Sequence, residues 1–458
     1  MNFLLAIPPE VRLALLFLVG TAVGTQLNRG IYRLAIFRKR RIGPWSPAPD
    51  DAPPRRWFDF LPVFGWISLR REAKQHGGGF WIRPLLIELA TGGAFAALYR
   101  WDLQNGPFDA IGLPPTAGMQ HAQYLMQVVL VSLMMVATFI DFDEKTIPDA
   151  ITVPGTLFAL GLASLLPAAR LPIGVPTRAA QTIEPLRLSS PLDWPAWLDG
   201  RDGLWCGLAC YIAWCFAIMP FIWDTRRGLS FGVDLLYRSV FCRRASRPYH
   251  ILAIVGAVAI VAVWRFGHWP DLLSALVGMA FGGGLIWGVR IVGTRALGVE
   301  AMGFGDVILM AMIGAFLGWQ SALLIFFFAP FAALLIGVAQ LIIHRRTDIA
   351  FGPYLCLAAV FLLVSWSGLW HEWAARIFIL GWRIPLMVAA GLVLMGAMLV
   401  GWRFIKERFL FPDEPQPPIP NKPNKPKPSP KPSSPQGNFE KKKPGGKKSG
   451  KKGKKGKP

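Results

Sequence analysis

The fold turns on the stretch from Val307 to Ile343, VILMAMIGAFLGWQSALLIFFFAPFAALLIGVAQLII. These 37 residues carry no charged side chain, and Gln320 and Pro330 are what interrupts the apolar run. A bilayer-crossing helix needs ~20 residues, so the stretch reads as two crossings. Moving outward, further apolar runs lie near Leu13–Leu27, Pro84–Tyr99, Tyr124–Ile140, Ala150–Ala169, Leu204–Ile222, Ile251–Trp264, Leu272–Val289, Phe351–Ser367 and Ile384–Trp402. The sum is an all-α polytopic membrane protein with about 11 transmembrane helices. Composition agrees: 53% of the 458 residues are hydrophobic and 17% charged, too apolar a balance for one water-soluble core.

The net charge of +22 resembles a nucleic-acid signature until it is located. From Asn421 to Pro458 there are 14 lysines against Glu440, so the tail alone supplies +13. Residues Arg29–Arg83 hold 12 Lys/Arg and Asp224–His250 hold six, whereas Trp101–Ala122 hold none. The positive-inside rule places the basic loops and the C terminus in the cytoplasm and the N terminus outside. The expected organisation is a first transmembrane helix (1–28), a basic cytoplasmic loop (29–83), transmembrane helices ending in acidic residues (84–170), and an external loop, extra helices and a second basic loop (171–302). A glycine-rich motif with its following helices (303–368), a last helix (369–411) and a disordered Pro/Lys-rich tail (412–458) complete it. Anionic lipid suits that tail better than nucleic acid, because it offers no aromatic stacking residues.

Chemistry becomes available where charge meets an apolar run. The third run closes on Ile140-Asp141-Phe142-Asp143-Glu144-Lys145-Thr146-Ile147-Pro148-Asp149, which puts Asp141 at the cytoplasmic end of a helix. Pro148 opens the next span as a first-turn proline does. Ahead of the long uncharged stretch stands Gly303-Phe304-Gly305-Asp306, whose glycines let another backbone approach. Each motif alone also fits an ordinary solvated loop or helix start. Together they bring two carboxylates, 165 residues apart in sequence, to one membrane face. Such a pair can share a proton, because like charges ~3 Å apart cannot both ionise, and so can act as acid and base on water. Asp143 is the nearest rival to Asp141 for that role. The four acids from Asp141 to Asp149 against Lys145 leave a local charge of −3, and Asp143, Glu144 and Asp149 form the region expected to attract a cationic substrate.

These residues resemble the type IV prepilin leader peptidases, membrane aspartic peptidases of the GxGD type. Asp141 to Asp149 with Ile151-Thr152-Val153-Pro154 is similar to the family's first active-site motif. Gly303-Phe304-Gly305-Asp306, running on to Gly318-Trp319, is similar to its second, and Phe351-Gly352-Pro353-Tyr354-Leu355 to a later segment. Toward the N terminus, Leu27–Leu34, Asp59–Leu69 and Pro84–Leu89 resemble further family blocks.

The resemblance implies catalysis by Asp141 and Asp306, supported by Gly303, Gly305 and Pro148. It implies removal of a basic leader from pilin-like or pseudopilin precursors at the bacterial inner (cytoplasmic) membrane, and N-methylation of the new terminus by S-adenosylmethionine. Two departures stand out. The family's zinc-holding CxxC pairs are missing from Arg29–Arg83, which contains no cysteine, so zinc is not expected there and no metal elsewhere. Ile308 replaces a lysine usual two residues after the second aspartate. An inactive scaffold of a pilus or type II secretion system, a presenilin-like protease and a transporter are the competing readings. The second lacks its PAL tripeptide after Asp306, and the third lacks paired broken-helix repeats.

Overall fold

A computed structural model describes residues 7–35, 42–49, 52–176, 181–220, 234, 237–298, 300, 302–344 and 350–405. The lysine-rich tail and residues 226–233, 235 and 236 of the basic loop 226–247 lie outside them. Among the described residues eleven longer helices order the chain: α1 Pro9–Leu34, α2 Ile82–Asn105, α3 Ala117–Glu144, α4 Asp149–Leu165, α5 Arg201–Ile218, α6 Arg247–Phe266, α7 Trp269–Leu297, α8 Phe304–Leu317, α9 Trp319–His344, α10 Gly352–Gly368 and α11 Arg383–Ile405. Each expected apolar run falls on one of them. Among the described residues eight are long and apolar enough to cross a membrane, namely α1, α2, α3, α6, α7, α9, α10 and α11, while α4 and α8 are shorter apolar helices.

The long uncharged stretch does divide in two, but at neither interruption visible in the sequence. The break is Gly318, whose φ of +89° ends α8, and Pro330 sits inside α9. Glycine enters that backbone region without the Cβ penalty other residues meet. The expected external loop also holds what the all-α reading did not foresee, an antiparallel hairpin of β1 Pro172–Pro176 and β2 Gln181–Pro185 with Pro172 opposite Pro185. It is fixed to the bundle by the Trp366 indole, which donates to Pro172 O at 2.8 Å.

α8 is the centre of the core, with every residue from Asp306 to Leu317 buried. It packs against α7 through small residues. A Cβ on Gly282 would lie 2.6 Å from Met310 O, and one on Gly278 would strike Gly314 O. Small residues at such a seam let two backbones approach closely, which is how helices gain van der Waals contact in lipid. Gly282 and Gly283 thus serve helix contact, whereas a Cβ on Gly284 would meet nothing within 4 Å. α5, α6 and α11 gather on or near α7, away from α3 and α10, and only Ile260 of α6 is buried.

Residues 42–49 and 52–81 belong to a folded module without cysteine. Its buried acids are held by donors of the same chain. Asp59 takes Arg71 (2.5 Å), the Ser68 hydroxyl (2.7 Å) and the Arg56 N–H (2.7 Å). Glu72 pairs with Arg55. Glu88 of α2 accepts from the Val63 N–H (2.6 Å), the Trp66 indole (2.8 Å) and Asn28 of α1 (3.2 Å), tying the module to both helices.

Candidate active site

α3 ends just beyond Asp141, because Lys145 takes a left-handed conformation (φ 56°) and returns its N–H to Asp141 O at 2.8 Å. The chain turns through Thr146 and Ile147 to buried Pro148, the N-cap of α4. That turn meets the start of α8. A Cβ on Gly305 would lie 3.0 Å from Ile147 Cβ and 3.1 Å from Ile147 N, so any side chain there would push the two motifs apart. Gly303 is the N-cap of α8, and Asp306, three residues on, accepts from its N–H as a capping residue does.

α10 closes the third side. Its first residue, Gly352, turns its amide toward the Asp141 carboxylate. A Cβ built on Gly352 would stand 2.5 Å from Asp141 Oδ2 and 3.2 Å from Asp306 Oδ1. The two carboxylate oxygens are therefore at most 5.7 Å apart, the sum of those distances. One water donating or accepting at ~2.8 Å to each oxygen spans that gap. Asp141 is 5% exposed and Asp306 7%, and Asp141 Oδ2 has no hydrogen-bond partner among the described residues. Two buried acids with one unmet oxygen between them have the chemistry to activate a water molecule.

The other expected site residues lie elsewhere. Asp143, two residues past Asp141, points about 200° around α3 and is bound to Arg83 of α2 at 2.8 Å. It does not join the carboxylate pair. Glu144 lines the same recess as Asp143 and Arg83. Asp149 is exposed in the first turn of α4, where an acid favours the helix dipole. Ile308 is buried in the core at 3% exposure. Among the described residues no group of three or more His, Cys, Asp or Glu is arranged to hold a metal ion.

Two residues of the site were given no role of their own by the sequence. Gly352 was visible only as part of a resemblance. Cys356, one turn later and buried, shares a hydrogen bond with Thr138, one turn before Asp141. A glycine directly before a first-turn proline is the signal that would have marked the first; nothing marks the second.

A profile described as the type IV leader peptidase family matches residues 247–338. Curated proteins named prepilin leader peptidase/N-methyltransferase are also similar. The one from Klebsiella pneumoniae is 30% identical over 168 residues, covering 35% of this chain and 66% of the relative. That from Pseudomonas aeruginosa is 30% identical over 181 residues (38% and 58%), and that from Myxococcus xanthus 30% over 151 (32% and 39%). The chain belongs to the type IV leader peptidase family. The matches span from 39% to 66% of those three family members' length. The profile covers α6 to most of α9, including Asp306, and leaves out Asp141, which the fold supplies from α3. No solved structure matches this chain.

Proposed function

We propose that the chain is a membrane aspartic endopeptidase that removes the basic leader from type IV prepilin-like or pseudopilin precursors at the cytoplasmic face of the bacterial inner membrane. One observation carries the reading: Asp141 and Asp306 meet across Gly352, within reach of a single water. Family membership and the relatives' names support the substrate class. With one proton between them, the ionised carboxylate takes a proton from water as the hydroxyl attacks the scissile carbonyl. The protonated partner donates to the carbonyl oxygen, and the tetrahedral intermediate collapses as the leaving amine collects a proton. Asp143, Glu144 and Asp149, on the same end of the bundle, supply the negative field that draws in a basic leader.

The relatives are also named N-methyltransferases. The module formed by residues 42–81 gives S-adenosylmethionine a poor fit. Its buried acids Asp59 and Glu72, and Glu88 at its edge, are engaged by their own chain, which among the described residues leaves no buried carboxylate there for a ribose.

The test is cleavage of a co-expressed precursor by the wild type, Asp141→Asn and Asp306→Asn. Loss of mature product in either variant supports the pair. Undiminished processing by both removes it, and an intact precursor with wild type favours the scaffold reading. The mass of the mature N terminus decides methylation.

A further inference from the structure

The acidic end of α3 is already occupied. Arg83, in the first turn of α2, places Nη1 at 3.0 Å from Asp143 Oδ1 and 2.8 Å from Oδ2. Its Nη2 reaches toward Phe139 O at 3.5 Å, and its guanidinium lies 5.1 Å from the centre of the Phe139 ring. The recess around this pair, lined by Ile31, Tyr32, Ile140 and Glu144, is only about 30 Å³, so with Arg83 in place there is space for little more than a water. The side chains of Arg83 and Asp143 are 38% and 31% exposed, which leaves the pair open to exchange with a cation arriving from outside.

We propose that Arg83 is a resident competitor for the positive charge of the leader. This rests on the leader-cleavage reading above and assigns Arg83 the part of a specificity determinant. Arg83 holds the Asp143 position while the enzyme is empty, and an arriving lysine or arginine must displace it. A leader with one cation merely exchanges one ion pair for another. A leader with several also gains the field of exposed Asp149 on the same end of the bundle, and so wins the exchange. Asp143 and Asp141 lie on opposite sides of α3, about one helix diameter apart, ~10 Å. An extended chain rising ~3.3 Å per residue covers that in about three residues. The recognised cation therefore stands about three residues before the scissile bond.

The test is binding rather than turnover, made on the full-length chain in detergent with Asp306→Asn present throughout. The probes are a fluorescein-labelled lysine-rich leader peptide and its glutamine counterpart. Arg83→Gln is expected to tighten the lysine peptide by about fivefold, the size of an exposed ion pair, and to leave the glutamine peptide unchanged. Arg83→Lys retains the wild-type affinity, and Asp143→Asn weakens the lysine peptide and abolishes the gain from Arg83→Gln. A loss of structure weakens binding and cannot produce the gain. Unchanged or weaker binding in Arg83→Gln, or an equal gain with the glutamine peptide, overturns the proposal. Cleavage that survives both Asp141→Asn and Asp306→Asn overturns the peptidase reading instead, and the peptide affinities still decide Arg83.

Discussion

Replacing Gly352 by alanine adds a single carbon where the two carboxylates meet. That carbon would stand 2.5 Å from Asp141 Oδ2, 3.0 Å from Ile147 Cδ1 and 3.2 Å from Asp306 Oδ1. Comfortable nonbonded separations are ~3.5 Å or more, so Asp141 must retreat by about 1 Å or rotate away. Overpacking of this kind costs ~1–3 kcal/mol, of which alanine's better helix propensity returns up to ~1 kcal/mol. The protein should therefore still fold. Catalysis has no such compensation, since a misplacement of ~1 Å costs about 100-fold in rate. Gly352→Ala is expected to lower kcat/KM for precursor cleavage by at least about 100-fold. The assay follows the mature product by gel shift in membranes containing matched amounts of each enzyme, with thermal unfolding as the check on folding. Activity within about threefold of wild type, with normal expression, would refute the claim that Gly352 keeps the space in which the carboxylates meet.

The two glycines of the second motif should separate. Gly305→Ala drives a methyl against the Ile147 backbone and is expected to abolish cleavage, whereas a Cβ on Gly303 finds Asp306 Oδ2 no nearer than 3.7 Å, so Gly303→Ala should keep most activity in the same gel assay. Gly278→Val pushes a branched side chain into Gly314 O and should separate α7 from α8, seen as loss of folded protein in detergent size-exclusion chromatography. In the module of residues 42–81, burial raises the Asp59 carboxyl, but hydrogen bonds from Arg71, Arg56 and Ser68 and the Arg71 charge outweigh it and hold the group well below its usual range. Its contribution is complete above the ordinary carboxylate pKa of 3.8 and is lost as pH falls below that toward the depressed value. Asp59→Asn should cost about 2 kcal/mol at neutral pH and flatten the acid limb of a thermal-unfolding series.

Much of this could be read directly from residue order. Charge-free runs of the right length become helices because lipid leaves the backbone no other way to satisfy its hydrogen bonds, and each expected run found its helix. Asp141 and Asp306 were legible because a charge at the edge of an apolar run is rare and topology put both on one side. What escaped depends on contacts between distant segments. Gly318 rather than Pro330 breaks the long stretch because α9 accommodates its proline, as membrane helices can, while a left-handed turn needs glycine. The strands β1 and β2 show no alternation of buried and exposed residues, and prolines occupy both ends of β1 and the end of β2. Asp143 and Asp141 look interchangeable in a string of acids, and only the 3.6-residue turn of α3 sends one to Arg83 and the other to Asp306. Gly352 and Cys356 are ordinary residues in an apolar helix until the fold sets them beside the carboxylates.

Enclosure of α8 on every side has a consequence for how tolerance to change is written along it. A helix with one lipid-facing side forgives substitution every third or fourth residue, and α6 should do so along nearly its whole length. Between Val307 and Leu317 no such rhythm has anywhere to come from. A scan of all substitutions through that segment should return an unbroken block of sensitive positions, with smaller replacements leaving holes and larger ones forcing neighbours apart.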